Sequence, residues 1–239
     1  MAPASRVRRP PVGHEPGDAK TALVSAMTNA NTTPPGGHAA VYDALMWPFE
    51  RAALGAWRRR LAARAGGRVL EVGTGTGSQL RWYPAGVAVT ALEPDPGMAA
   101  RARRAAMRAA ASVTIVEGVA ERLPFAAASF ETAVTSFCFC TLADPAVALG
   151  ELRRVLIPGG RLLMLEHVHL PWEPGRRLQS WAAPAWAAVA GGCRLDRDTG
   201  RFVREAGFLV LRERPHILGW IVELEARSPL GLHEPPISG

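Results

Sequence analysis

Apolar and polar positions change rhythm several times along the chain, and each change marks an element. From Ala39 the apolar residues Val41, Tyr42, Leu45, Met46 and Phe49, then Leu54, Trp57, Leu61 and Ala62, recur at helical spacing on either side of Pro48. This predicts two helices with a break at the proline. Short apolar runs predict strands at Arg68 to Val72, Val87 to Leu92, Val113 to Val116 and Glu131 to Phe137, with a helix at Pro96 to Ala110. A further helix opens at Asp144-Pro145 and runs to Leu156, with Asp144 as its cap and proline in the first turn. Pro158-Gly159-Gly160 ends that helix and turns into a fifth strand, Arg161 to Val168. Strands and helices alternating at this spacing imply parallel strands, right-handed crossovers and helices on both faces.

The last third reads differently. Leu178 to Ala190 forms an apolar, tryptophan-bearing helix interrupted at Pro184, and Asp198 to Ala206 a short helix ended by Gly207. Two strands follow, Phe208 to Glu213 and Ile217 to Glu225, and the link Arg214-Pro215-His216 is too short for a crossover, so they form an antiparallel hairpin. The expected fold is α/β, a doubly wound seven-stranded sheet, mostly parallel with one antiparallel strand near the edge. Residues 1–37, rich in Pro, Gly, Ser, Thr and Asn and without apolar period, read as a disordered tail, 38–230 as a single domain and 231–239 as a flexible tail. Met27, inside the N-terminal tail, is a candidate alternative translation start.

Composition agrees with a globular chain: 239 residues, 48% hydrophobic and 21% charged. The net charge of +7 is carried almost wholly by scattered arginines, Lys20 being the only lysine, which fits a solvated surface better than a nucleic-acid face. The three cysteines, Cys138, Cys140 and Cys193, lack metal-ligand spacing and predict a reducing, cytoplasmic setting with no metal. Metal or arsenic chemistry would need the trio to converge in space. No apolar run approaches the roughly 20 residues that span a bilayer, so membrane contact is expected to be peripheral at most.

The candidate chemistry centres on Val69-Leu70-Glu71-Val72-Gly73-Thr74-Gly75-Thr76-Gly77-Ser78, a strand that breaks into a glycine-rich loop ahead of an expected helix. A dinucleotide fingerprint would put its third glycine where Ser78 stands. Glu93, ending the second strand, lies beside the loop in such a sheet and can accept from two ribose hydroxyls. Glycine at every second position after Glu71 resembles the loop of the class I S-adenosylmethionine-dependent methyltransferases. Val116-Glu117-Gly118-Val119-Ala120-Glu121-Arg122-Leu123-Pro124-Phe125 resembles their adenine-binding segment, with valine at 119 where many relatives have aspartate. Leu152 to Gly160 is similar to their motif before the fifth strand.

That resemblance implies a Rossmann-like fold and S-adenosyl-L-methionine as cofactor, held by Tyr42, Glu71, Gly73, Thr74, Gly75, Gly77, Glu93, Pro94, Ala120, Glu121 and Ser136. Within the family the chain resembles the branch of ubiquinone/menaquinone methyltransferases, bacterial phosphatidylethanolamine N-methyltransferases and membrane-associated thiol S-methyltransferases, and it resembles the thiol group on Trp82 to Gly86, Cys140, Glu166-His167-Val168, Gly192-Cys193 and Pro215 to Gly219. No N-terminal hydrophobic anchor like that of the membrane-bound members is read in the sequence, so membrane residence is not among the expectations. A small hydrophobic acceptor is implied, with His167, at the carboxyl end of a central strand, as the candidate base. A nucleic-acid acceptor is disfavoured, because Ser136-Phe137-Cys138-Phe139-Cys140 lacks the Asn/Asp-Pro-Pro-aromatic element that grips a base amine. The alternatives are a noncatalytic protein acting through its apolar last third and a methyltransferase of a specialised biosynthetic pathway.

Overall fold

The computed structural model describes residues 54–189 and 192–230. The elements run α1 (Gly55–Ala62), β1 (Arg68–Val72), β2 (Ala88–Glu93), α2 (Pro96–Ala106), β3 (Ser112–Glu117), β4 (Phe130–Ser136), α3 (Pro145–Val155), β5 (Leu156–His167), α4 (Glu173–Val189), α5 (Thr199–Glu205), β6 (Leu209–His216) and β7 (Ile221–Arg227). The expected segments at 1–37 and 231–239, the first helix of the pair beginning at Ala39, and Tyr42 lie outside the described residues.

One seven-stranded sheet has the order β3-β2-β1-β4-β5-β7-β6. The pairs β1–β2, β1–β4, β2–β3 and β4–β5 are parallel, while β7 runs antiparallel to both β5 and β6. The Rossmann-like, mostly parallel sheet with one antiparallel strand beside its edge is therefore present as expected. Side chains alternate between two cores, as the two-residue period of a strand requires. Leu70, Val72, Leu162 and Met164 join Leu149, Leu152 and Val203 on one face. Val69, Val134, Leu163 and Leu165 join Leu61, Ala62 and Ala102 on the other.

Three helix starts are set by aspartates. Asp95 accepts from the Met98 N–H, Asp144 from Ala146 and Val147, and Asp198 from Arg201, with proline at the first position of α2 and α3. Helix α2 stops at Ala106 rather than Ala110, since Met107 is 80% exposed and has no face to bury.

Further boundaries differ from expectation. Pro158-Gly159-Gly160 does not separate helix from strand: β5 begins at Leu156, and the motif is an irregularity in it, between the pairs Phe130–Leu156 and Thr132–Arg161. Helix α4 begins at Glu173 and passes through Pro184. Arg214, Pro215 and His216 are not the hairpin link but the end of β6, whose place at the sheet edge leaves the missing proline N–H without consequence. The reversal is made by Ile217, Leu218 and Gly219, all at positive φ. The expected helix after the glycine loop is a series of turns ending in the short 3-10 turn Leu80–Trp82, since Pro84 and Gly86 leave no length for a regular helix.

Candidate functional site

The carboxyl ends of β1, β2, β4 and β5 carry the candidate residues. At the end of β1 the N–H groups of Gly73 and Thr74 both donate to Leu92 O, at 2.9 and 3.1 Å, which lashes the glycine loop to β2. Gly73 has φ +69°, and a Cβ there would fall on Cys138 Sγ, with Cys138 Cβ at 2.8 Å. Only glycine fits both the backbone and the space. Gly77 closes a turn onto Thr74 O at 3.0 Å and packs against Ala102 and Ala105 of α2.

Glu93 is buried and holds the loop with both oxygens, one accepting the Gly75 N–H at 2.8 Å, the other the Asp95 N–H at 3.1 Å. Burial raises its pKa, against the pull of these two donors. Glu71 is buried as well: Oε1 accepts the Thr74 hydroxyl at 2.7 Å, while Oε2 has no hydrogen-bond partner among the described residues. Burial pushes its carboxyl up to about 7, against Thr74, Tyr83 and Arg58. The buried Tyr83 hydroxyl lies near enough to favour the charge, yet the two groups miss hydrogen-bond geometry.

The segment after β3 is clamped by α3. Leu123 N–H donates to Glu151 at 2.7 Å, and Arg154 donates to Phe125 O at 2.7 Å and to Leu123 O at 3.0 Å. Glu151 and Arg154 went unrecognised as site-shaping residues, because their spacing resembles any i,i+3 surface pair. Ala120 is buried, Pro94 and Val119 are exposed, and Glu121 accepts the Asp144 N–H at 3.4 Å.

At the end of β4, Ser136 Oγ accepts from Arg58, itself buried, at 2.9 Å. Phe137 follows at φ +56°, a conformation that costs a bulky residue energy and that clusters at ligand sites. The turn is anchored by Glu166, fully buried, which accepts from the Thr135 hydroxyl at 2.9 Å and from the N–H groups of Cys138 and Phe139 at 3.2 and 3.1 Å.

His167 ends β5 half-buried, its ring 4.7 Å from that of Phe137 and 5.6 Å from that of Trp220. Its Nδ1 lies 4.0 Å from Cys140 Sγ and 3.7 Å from Cys193 Sγ. The fold thus converges two of the three cysteines on His167, which sequence spacing does not reveal; Cys138 instead packs against Gly73. Contact with Cys140, and next the nearby imidazole, draw the Cys193 thiol well down despite burial, while Cys140 is driven up.

The ligand-facing side of the glycine loop suits a molecule with a cation and a diol. A Cβ added at Gly75 would meet nothing nearer than Met98 Sδ at 4.0 Å, and among the described residues Glu71 holds a buried oxygen without a hydrogen-bond partner and each oxygen of Glu93 accepts one backbone N–H. A cavity of about 380 Å³ lined by Ala143, Pro145, Arg197 and Phe202 lies beside α5 and touches none of these residues. No helix among the described residues is long and apolar enough to cross a membrane.

A family model described as a methyltransferase domain matches residues 70–164. Human thiol S-methyltransferase TMT1B is 32% identical over 183 residues, covering 71% of this chain and 70% of that protein. Demethylmenaquinone methyltransferase of Beutenbergia cavernae is 36% identical over 144 residues, covering 56% of this chain and 58% of that protein. Among solved structures, geranyl diphosphate C-methyltransferase of Streptomyces coelicolor A3(2) superposes with a TM-score of 0.60 at 16% identity over 74% of this chain and 76% of that one, a likeness of fold.

Proposed function

Because the chain belongs to the class I S-adenosylmethionine-dependent methyltransferases, a family that methylates small molecules here, we propose that its acceptor is small and hydrophobic, with a thiol first among the candidates. A quinol or a lipid amine is the next class. S-adenosyl-L-methionine supplies an electrophilic methyl on a sulfonium. Glu93 is proposed to take the ribose diol, Glu71 to face the methionine ammonium, the loop Gly73 to Gly77 to let the ligand approach the backbone, and Pro94, Ala120, Glu121 and Ser136 to border the adenosine. Tyr42, outside the described residues, is proposed as a further cofactor-binding residue.

The observation that carries the acceptor reading is the apolar end of β4 and β5. The rings of Phe137 and Trp220 pack tilted against that of His167 there, and the contact between Cys138 and Gly73 joins that wall to the glycine loop. A thiolate and a sulfonium neutralise each other as the methyl passes in line, so a dry wall favours the change, and alignment alone is worth roughly 7–11 kcal/mol in favourable cases. His167 is proposed as the residue that touches the acceptor. Trp181, 80% exposed on α4 with Leu178 beside it, supports an apolar acceptor or a peripheral membrane contact.

Incubating the full chain with methyl-labelled cofactor and a panel of alkyl and aryl thiols, quinols, phospholipids and hydrophilic amines tests the reading. Label on apolar thiols is the expected result. Label confined to hydrophilic amines would overturn it.

A further inference from the structure

Cys140, His167 and Cys193 come from three separate segments, the turn after β4, the end of β5 and the stretch after α4, and their ligand atoms all lie within 4.8 Å of one another. Among the described residues no other set of three His, Cys, Asp or Glu side chains converges in this way. Tetrahedral Zn²⁺, with Zn–S about 2.3 Å and Zn–N about 2.0 Å, holds sulfur and nitrogen ligands about 3.6 Å apart. The separations of 3.7 and 4.0 Å between Nδ1 and the two sulfurs need only a small inward shift to meet that value.

The scaffold around the trio is stitched together by backbone and side-chain hydrogen bonds. Arg194 N–H donates to Cys140 O at 2.7 Å, and Arg197 donates to Phe139 O and Leu142 O, tying the segment that carries Cys193 to the turn that carries Cys140. His169 N–H donates to Arg197 O at 3.1 Å. Gln179, buried, reaches from α4 to Val168 O at 3.1 Å and Leu195 O at 2.7 Å, tying the same segment to the end of β5. The rings of Phe137 and Trp220 hold the imidazole plane. Ligand orientation fixed by surrounding groups is what tunes a metal site.

We propose that Cys140, His167 and Cys193 bind a soft divalent cation of the Zn²⁺ class through two thiolates and one neutral imidazole. Two thiol protons leave to solvent as the two metal–sulfur bonds form, and the two negative charges balance the cation, so the complex adds no net charge to its apolar surroundings of Leu195 and Trp220. Sulfur and nitrogen donors disfavour Mg²⁺ and Ca²⁺. Three protein ligands leave a fourth position, the pattern of sites that exchange a ligand rather than of closed structural ones.

The full chain, purified under reducing conditions and stripped with a chelator, is titrated with Co²⁺ and then Zn²⁺, with no methyl acceptor present. One equivalent of Co²⁺ is expected to give thiolate-to-cobalt charge transfer and the visible bands of a tetrahedral site. Zn²⁺ should bleach these and protect two of the three thiols from a thiol reagent. Cys140→Ser, Cys193→Ser and His167→Gln, checked for folding by circular dichroism, are each expected to weaken Zn²⁺ binding beyond the roughly 10–100-fold that loss of a supporting contact costs, while Cys138→Ser does not. The protection of wild-type thiols keeps the test decisive if a variant fails to fold. Three freely reactive thiols in the presence of Zn²⁺, or formation of a Cys140–Cys193 disulfide that excludes the cation, would overturn the proposal. Since no methyl transfer is read, this outcome is independent of the acceptor panel.

Discussion

The Glu93 carboxylate accepts the Gly75 N–H at 2.8 Å through one oxygen while the other takes the Asp95 N–H. Both oxygens are needed as acceptors, so glutamine is not a conservative replacement: its NH₂ must face one of the two N–H groups. A hydrogen bond to a charged group contributes about 1.5–3 kcal/mol, which corresponds to roughly 10–100-fold in affinity. Glu93→Gln is therefore expected to weaken S-adenosylhomocysteine binding by that factor, read by isothermal titration calorimetry. Affinity within about threefold of wild type would remove Glu93 from the ribose.

Gly73 and Gly86 separate two costs that usually come together. Both have positive φ, +69° and +88°, but a Cβ at Gly73 would collide with Cys138 whereas one at Gly86 meets nothing within 4 Å. Gly86→Ala is expected to lose only the backbone cost, about 1–2 kcal/mol. Gly73→Ala adds the cost of overpacking, about 1–3 kcal/mol more. Adding Cys138→Ala to Gly73→Ala should return part of the second cost and none of the first. Urea denaturation measures all four proteins, and equal losses for the two glycine variants would refute the collision.

How much of this could be read from the chain depends on the range of each interaction. The strands β1 to β4, the cap Asp144 and the glycine rhythm after Glu71 are local patterns, and they appear in the structure within one or two residues, whereas β5, β6 and β7 are displaced by three to five residues at one end. The link misplaced at Arg214 to His216 failed because an edge strand tolerates Pro215, and whether a strand lies at an edge is a property of the whole sheet. The trio of Cys140, His167 and Cys193 failed for the same reason: 27 residues separate the first two and 26 the last two, and only the sheet order brings them together.

Glu71 predicts a pH dependence whose sign follows from its burial. Its folded pKa, raised to about 7, exceeds the ordinary value of 4.5, so between those values the folded protein holds a proton that the unfolded chain has released. Its contribution to stability is fully present below about pH 4.5 and is lost as pH rises through about 7. At roughly 1.4 kcal/mol per unit the loss is about 3 kcal/mol. Glu166, with a carboxyl pushed to the same range, acts in the same direction, but its three donors favour the charged form and make it the poorer probe. Glu71→Gln is therefore expected to gain stability relative to wild type between pH 5.5 and 8.5, seen in thermal unfolding. A constant difference across that range would contradict a proton held on Glu71.

His167 allows the cofactor and acceptor sides of the site to be tested apart. Its ring packs between Phe137 and Trp220 and turns Nδ1 to the two thiols, whereas the N–H groups of Gly73, Thr74 and Gly75 are held by Leu92 and Glu93. His167→Ala is therefore expected to keep S-adenosylhomocysteine affinity within about threefold while turnover with the acceptor found by labelling falls about 100-fold or more, the scale of a positioned proton-transfer or ligand group. Calorimetry reads the first quantity and initial rates the second, with the ratio of kcat to KM separating loss of chemistry from loss of acceptor binding. Unchanged turnover would remove His167 from the reaction, and a loss of cofactor affinity equal to the loss of turnover would mean that the end of β5 supports the glycine loop rather than the acceptor.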